Sequence, residues 1–308
     1  MSGIDVLAIG EPLVEFNAGT DGDLSGSETF SRGYGGDTSN FTIAAARSGA
    51  RTEYLTRIGD DAFGTALGDL WRREGVGTPH VVREAGGRTG IYFIARNGGE
   101  HAFTYYRHDS PATRLSPADV TGEVIARARL VHLTGITQAI SPSACDAAFH
   151  AMALARERGV LVSYDPNHRP GLWATERARA VILRSLALCD IALPNLDEGR
   201  MLTGADQPRD VLAALRELCP GTVVLKNGAQ GALLADGATI AEIPAPPVAS
   251  VDASGAGDAF DGAFAARLLG GGEPAEAARY AAAAAALSTT GHGAVRPIPR
   301  HEDVLELL

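Results

Sequence analysis

Several things are scarce in this chain of 308 residues, and each scarcity removes a class of protein. Lys226 is the single lysine among 27 lysines and arginines, and no Gly-Lys-Ser or Gly-Lys-Thr occurs, so a Walker phosphate loop is excluded. The dinucleotide fingerprint Gly-x-Gly-x-x-Gly fails at its best candidate, because Phe260 stands three places after Gly257. Only three cysteines are present. Cys145, Cys189 and Cys219 are widely separated without metal-ligand spacing, and they read as buried thiols. No uninterrupted apolar stretch reaches about eighteen residues, no basic segment followed by an apolar run opens the sequence, and the alanine-rich run near Tyr280 is flanked by polar residues. The expectation is a cytoplasmic protein with no membrane partner. A formal charge of −10 argues against nucleic acid, although a local basic site can still hold a small phosphate.

What is present centres on Val251-Asp252-Ala253-Ser254-Gly255-Ala256-Gly257-Asp258. The glycines precede a segment, 258–269, whose apolar residues recur at helical spacing, so they read as a tight turn entering a helix. Such a turn leaves backbone N–H groups free at the positive end of a helix dipole, which suits an anion. An aspartate there competes with the anion unless it is a base. Asp258 can orient a substrate hydroxyl and take its proton while the turn stabilises a transferring phosphoryl group; the alternative is an ordinary acidic helix N-terminus.

Along the chain, Ile4 to Ile9 reads as a buried strand ending at Gly10-Glu11-Pro12. Segments 13–35 and 88–107 have short apolar alternations, the second as a hairpin turning at Asn97-Gly98-Gly99, and predict a small sheet that covers the substrate. Gly33-Tyr34-Gly35-Gly36-Asp37-Thr38-Ser39-Asn40 precedes a helix predicted over Phe41 to Arg47, with Asp37 or Thr38 as cap, or Asp37 and Asn40 as polyol ligands. A strand at 53–58 and a helix at 62–74 follow. Beyond residue 108, helices opening at Ser116-Pro117 and Ser141-Pro142 and at 175–187, 196–202 and 209–218 alternate with strands near 130, 160, 191 and 222, before a hairpin at 232–243 and two closing helices. This alternation predicts an α/β fold, a mainly parallel sheet with helices on both faces. The division is a core of 1–12, 36–87 and 108–308 and a lid of 13–35 and 88–107.

Ligands of such sheets sit at the carboxyl ends of strands, where polar clusters recur. Lys226 follows one strand and would be a cation for nucleotide phosphates or a solvated charge. Asn195 and Glu198 are three apart at a helix start, as a capping pair, as outer ligands to hydrated magnesium, or both. Arg107 and Arg169 would offer guanidinium forks to a carboxylate or be surface charge; Tyr105 and Arg107 share one hairpin face while Tyr106 turns away.

The ordered set Gly35-Gly36 with Asn40, Asn195-x-x-Glu198, Lys226-x-Gly228 and Asp252-x-x-Gly255-Ala256-Gly257-Asp258 resembles the ribokinase-like (PfkB) sugar kinases along almost the entire chain. Gly10-Glu11-Pro12-Leu13-Val14, Thr89-Gly90-Ile91-Tyr92, Tyr105-Tyr106-Arg107, Leu133-Thr134-Gly135-Ile136 and Asp165-x-Asn167-x-Arg169-Pro170 are similar to 2-keto-3-deoxygluconate kinases within that family. The resemblance implies a ribokinase-like core with a β-sheet lid, and ATP, Mg2+ and a sugar acid as ligands. Gly35, Gly36 and Asn40 would contact the sugar, and Tyr92, Tyr105, Arg107 and Arg169 its keto-acid end. Asn195, Lys226, Gly228, Gly255 and Gly257 would serve the nucleotide, Asn195 and Glu198 the metal through water, and Asp252 a monovalent cation such as K+. The catalytic set would be Asp258 with Gly255, Ala256 and Gly257, transferring phosphate to the C6 hydroxyl. A homodimer through the lid is implied. The alternatives are a kinase for fructose, ribose or the galactonate epimer, or a sensor without catalysis. His168 stands where close relatives often carry tyrosine, Ala253-Ser254 where two threonines are frequent, and Gly291-His292-Gly293-Ala294 also departs from relatives with an acid near the substrate.

Overall fold

Apolar runs with opposite-facing neighbours build the main sheet. In the computed structural model, which describes residues 3–97 and 100–308, thirteen strands are β1 (Ile4–Ile9), β2 (Leu13–Asp21), β3 (Phe30–Gly35), β4 (Thr52–Gly59), β5 (Gly77–Glu84), β6 (Ile91–Asn97), β7 (Glu100–Tyr106), β8 (Ala128–Thr134), β9 (Leu161–Asp165), β10 (Ile191–Ala192), β11 (Thr222–Lys226), β12 (Ala232–Asp236) and β13 (Thr239–Ile243). Nine of them form one sheet in the order β13-β12-β11-β10-β9-β8-β1-β4-β5, parallel except for the two pairings made by β12. Both faces are covered. Val6, Ala8, Leu130, Leu193 and Val224 pack with Phe41, Phe260 and Phe264, whereas Leu7, Ile9, Val131, Leu133, Val223 and Leu225 pack with Ala148, Met152 and Ile182. Successive strand residues thus feed two cores, as period-two side-chain alternation requires.

The second sheet has the order β3-β2-β6-β7, with β2 and β6 parallel and the outer pairs antiparallel. The turn expected at Gly98 and Gly99 lies outside the described residues. One face carries Phe16, Phe93, Phe30 and Tyr106, with Phe16 also edge-on to Phe63 of the Ala62–Arg73 helix at 5.6 Å. The other carries Tyr92, Phe103 and Tyr105.

Several expectations are corrected. The first helix is Asp37–Arg47, beginning four residues before the predicted start, so Asp37 and Thr38 lie inside its first turn instead of capping it. Gly36 is the cap residue at φ 94, and a Cβ there would meet Glu11 O at 2.4 Å, which fits only glycine. Ser116-Pro117 opens a single 3-10 turn, Pro117–Asp119, before a four-residue helix, Gly122–Ile125. Strand β5 was not foreseen, because its Gly-Thr-Pro-His start and alternating exposure at the sheet edge give little apolar signal. Of the remaining helices, Pro142–Arg158, Thr175–Leu186, Leu196–Thr203, Pro208–Leu218, Ala256–Leu269 and Pro274–Ser288 fall close to their expected places, whereas Gly135–Ala139 was not expected and His301–Leu307 is a third closing helix where two were expected. Cys145, Cys189 and Cys219 are buried free thiols, as expected, although the fold brings the sulfurs of Cys189 and Cys219 to 3.7 Å.

Candidate active site

The carboxyl ends of β1, β8, β9, β10 and β11 converge with the amino ends of two helices. Asp37–Arg47 and Ala256–Leu269 cross closely, since Gly262 lets the backbone of Phe41 and the Cβ of Ala44 approach where a side chain would clash. This crossing places Asn40 Nδ2 2.8 Å from Asp258 Oδ2, joining residues 218 apart in sequence. Gly255 caps the second helix at φ 74, a left-handed corner that an L side chain disfavours, and Ala294 fills the space beside it. The first-turn amides beyond it, of Gly257 and Asp258, point out of the helix as any first turn requires; the Ala256 N–H is taken by Ala253 O at 3.2 Å.

Asp258 keeps part of its surface in the cleft, yet protein surrounds it closely. Desolvation first, then the nearby charges of Asp37 and Asp165, push its carboxyl up to about 7, against the opposing Asn40 hydrogen bond and Lys226 charge. A carboxylate poised there can accept a proton near neutral pH.

Below it lies a charge cluster. Lys226 Nζ sits 3.1 Å from Asp165 and 2.9 Å from Asp261, with its side chain 12% exposed. Burial opposes the ammonium, but Asp165, Asp261 and Glu198 hold its pKa above the ordinary value. The reading of Lys226 as a solvated charge is therefore corrected: two carboxylates draw the only lysine inward, beneath Gly257. Asp261, one turn after Asp258, was missed, and a lone lysine entering an apolar core was the signal that a buried acid awaited it. Asn195 and Glu198 form the expected capping box, Asn195 Oδ1 accepting from Glu198 N and Glu198 Oε2 from Asn195 N, both at 2.9 Å. Desolvation and then Asp165 push the Glu198 carboxyl up to about 7. Both carboxylate oxygens face amide donors, so contact with a metal through water suits them better than direct ligation. Among the described residues no three acidic, histidine or cysteine side chains cluster as a metal cage. Gly228 lies exposed just beyond β11.

On the side of the small sheet, Arg107 pairs with buried Glu11, which also accepts from Ser110 Oγ at 2.6 Å. This corrects the surface-charge alternative for Arg107, whose side chain is 11% exposed. Its guanidinium carbon lies 5.6 Å from the Tyr105 ring centre, and Tyr105 stacks on Tyr92 at 5.5 Å. Arg169 is exposed beyond the corner at Asn167, and its charge and that of Arg107 both act on the Tyr105 hydroxyl. Tyr92 donates to Glu15, a buried carboxylate the sequence reading missed, whose Oε1 accepts from Asn17 Nδ2 at 2.5 Å. A charged residue among apolar neighbours of β2 was its only signal. Gly35 lies against the Tyr92 hydroxyl, where a Cβ would come within 2.4 Å. Asp252 sits apart from these: its oxygens accept from Ser254 N and Gly293 N, each at 2.9 Å, stapling the loop before the Gly255–Gly257 turn to 291–294.

A family model described as pfkB family carbohydrate kinase matches residues 4–301. The chain is 37% identical to a 2-dehydro-3-deoxygluconokinase of Thermoproteus tenax over 99% of this chain and 94% of that protein. It is 34% identical to Fructokinase-1 of Oryza sativa subsp. japonica, covering 98% of this chain and 97% of the relative, and 30% identical to a 2-dehydro-3-deoxygluconokinase of Bacillus subtilis, covering 99% and 95%. Among solved structures, a PfkB protein from Polaromonas sp. aligns with a TM-score of 0.89 at 33% identity over 98% of this chain and 99% of the other. A putative ribokinase II from E. coli in complex with ATP and Mg+2 aligns at 0.92 with 26% identity over 99% and 98%.

Proposed function

This chain belongs to the pfkB family of carbohydrate kinases, and from that premise we propose that it is an ATP-dependent sugar-acid kinase, phosphorylating 2-keto-3-deoxygluconate at its C6 hydroxyl. The observation that carries the chemistry is Asp258, a carboxylate raised to about 7 and bonded to Asn40 at the amino end of the Ala256–Leu269 helix. The C6 hydroxyl donates to Asp258; its proton passes to the carboxylate as the oxygen attacks the γ-phosphorus, the phosphoanhydride bond breaks, and ADP leaves with 2-keto-3-deoxy-6-phosphogluconate as the other product. The turn Gly255, Ala256 and Gly257 presents the free amides of Gly257 and Asp258 and the helix dipole to the charge on the transferring group.

Gly35, Gly36 and Asn40 hold the sugar, and Tyr92, Tyr105, Arg107 and Arg169 its keto-acid end, beneath a lid made of 13–35 and 88–107 over a core of 1–12, 36–87 and 108–308. Asn195, Lys226 and Gly228 border the nucleotide, Lys226 acting through the carboxylates it neutralises. Magnesium, when bound, supplies neutralisation of phosphate charge, and Asn195 and Glu198 would meet its waters. Asp252 would favour a monovalent cation by its charge, a role that comparing K+ with Na+ in the assay decides.

A second reading, a kinase for a neutral ketose such as fructose, is favoured by the Glu11–Arg107 pair, which leaves Arg169 as the exposed guanidinium of the two. ATP-dependent phosphorylation of 2-keto-3-deoxygluconate, its galactonate epimer, fructose and ribose in parallel separates the readings. Turnover confined to the keto acids supports the proposal; turnover of fructose alone replaces it; and no turnover of any sugar points to a sensor.

A further inference from the structure

The Glu198 carboxylate makes one bond more than its helix needs. A capping box is complete when the third residue of the helix reaches back to the cap N–H, as Glu198 Oε2 does to Asn195. Its other oxygen, Oε1, accepts from the backbone N–H of His168 at 2.8 Å, thirty residues away in the loop that follows β9. Glu198 is 5% exposed, so both bonds are shielded from water.

That loop is held at a sharp corner. Asn167 has φ 35, a left-handed conformation unusual for a side-chain-bearing residue. Its N–H donates to Asp165 Oδ1 at 3.0 Å and its Nδ2 to Asp37 Oδ2 at 3.3 Å, which pins the corner on its amino side. The bond from His168 to Glu198 pins the carboxyl side, immediately before Arg169, and Pro170 then stiffens the exit. Arg169 is exposed and its nearest polar bond is local, to His168 O at 3.3 Å. Where its guanidinium stands therefore depends on how the backbone at 167–168 is held.

We propose that Glu198 is a positioning residue for recognition of the sugar acid: one carboxylate ties the loop after β9 to the loop after β10, and so fixes the reach of Arg169 while holding Asn195 at the nucleotide side. The inference rests on the reading of Arg169 as a ligand of the substrate carboxylate. A glutamine at 198 cannot reproduce the bridge, because its NH2 would confront one of the two N–H donors.

The test uses the full chain with Glu198→Gln and Glu198→Asp. Amide hydrogen exchange over 166–173, measured without nucleotide, metal or sugar, should be about tenfold faster or more in Glu198→Gln than in the native protein. With saturating ATP and Mg2+, the KM for 2-keto-3-deoxygluconate should rise about tenfold while kcat falls less. Unchanged exchange over 166–173, with only the Mg2+ requirement altered, would overturn the proposal and leave Glu198 as a metal-site residue alone. Should Glu198→Gln fold poorly, Glu198→Asp decides by the same exchange measurement, since its shorter carboxylate keeps the charge and cannot span both amides. If the native protein turns over fructose and not the keto acid, the sugar-acid reading fails, and the exchange result still decides whether Glu198 bridges the loops.

Discussion

Asp258 titrates near neutrality because desolvation and the acids Asp37 and Asp165 work against its charge. Its proton affinity has two consequences with opposite pH trends. As a base it must be ionised, so kcat/KM should climb through a limb centred near pH 7. As a carboxyl raised above its unfolded value, it contributes stability below about pH 4 that is lost as pH rises through about 7. Asp258→Asn should therefore reduce kcat by about a thousandfold yet melt at a higher temperature than the native protein at pH 8, a difference that shrinks toward pH 4. Calorimetry beside steady-state kinetics checks both signs, and equal melting at pH 8 would place the strain elsewhere. Lys226 works in the reverse sense. Lys226→Met leaves Asp165 and Asp261 without their shared cation and should cost about 3 kcal/mol in denaturant unfolding at neutral pH. Arg169→Ala, losing an exposed charge, should leave stability within about 0.5 kcal/mol and raise the keto-acid KM about tenfold or more.

Between elements, the crossing of Asp37–Arg47 with Ala256–Leu269 decides whether Asn40 meets Asp258. Gly262→Ala would place a methyl 2.3 Å from Phe41 O, so the helices must separate by a few tenths of an ångström or more. The expected result is a loss of about 1–3 kcal/mol in stability and a fall in kcat larger than any change in the ATP KM. A variant with native kcat would show that the Asn40–Asp258 bond is not what sets the base. The same scale shows what the sequence reveals incompletely. The helix 256–269 was legible from its period, but the start of the first helix at Asp37 was not, because four consecutive polar residues, Asp37 to Asn40, carry no apolar rhythm and are buried by tertiary contact.

At the scale of the molecule, the outer face of the small sheet presents Phe30 at 39% and Tyr106 at 63% exposure, with Phe93 between them. An aromatic surface of this kind is costly to leave in water, and a second copy meeting it is the expected cover. The double variant Phe30→Asp and Tyr106→Asp should convert a dimer to a monomer in light scattering after gel filtration, with the fold retained by circular dichroism. A native protein that is already monomeric would refute this assembly. Among the described residues no helix is long and apolar enough to cross a membrane.

The order of most strands and helices, and the glycine turn that enters the Ala256–Leu269 helix with Asp258 in its first turn, were written locally: apolar runs, a period of 3.6, and a glycine where φ is positive are properties of adjacent residues. The pairings were not. That Arg107 belongs to Glu11, Lys226 to Asp165 and Asp261, Tyr92 to Glu15 and His168 to Glu198 follows from how the fold sets neighbouring strands, the two sheets and the helix Ala256–Leu269 against one another. A buried charge must find a partner, but a linear sequence states only that the charge exists. The tertiary fold chooses the partner, because only it brings residues far apart in the chain to within hydrogen-bonding distance in a medium where leaving either unpaired is costly.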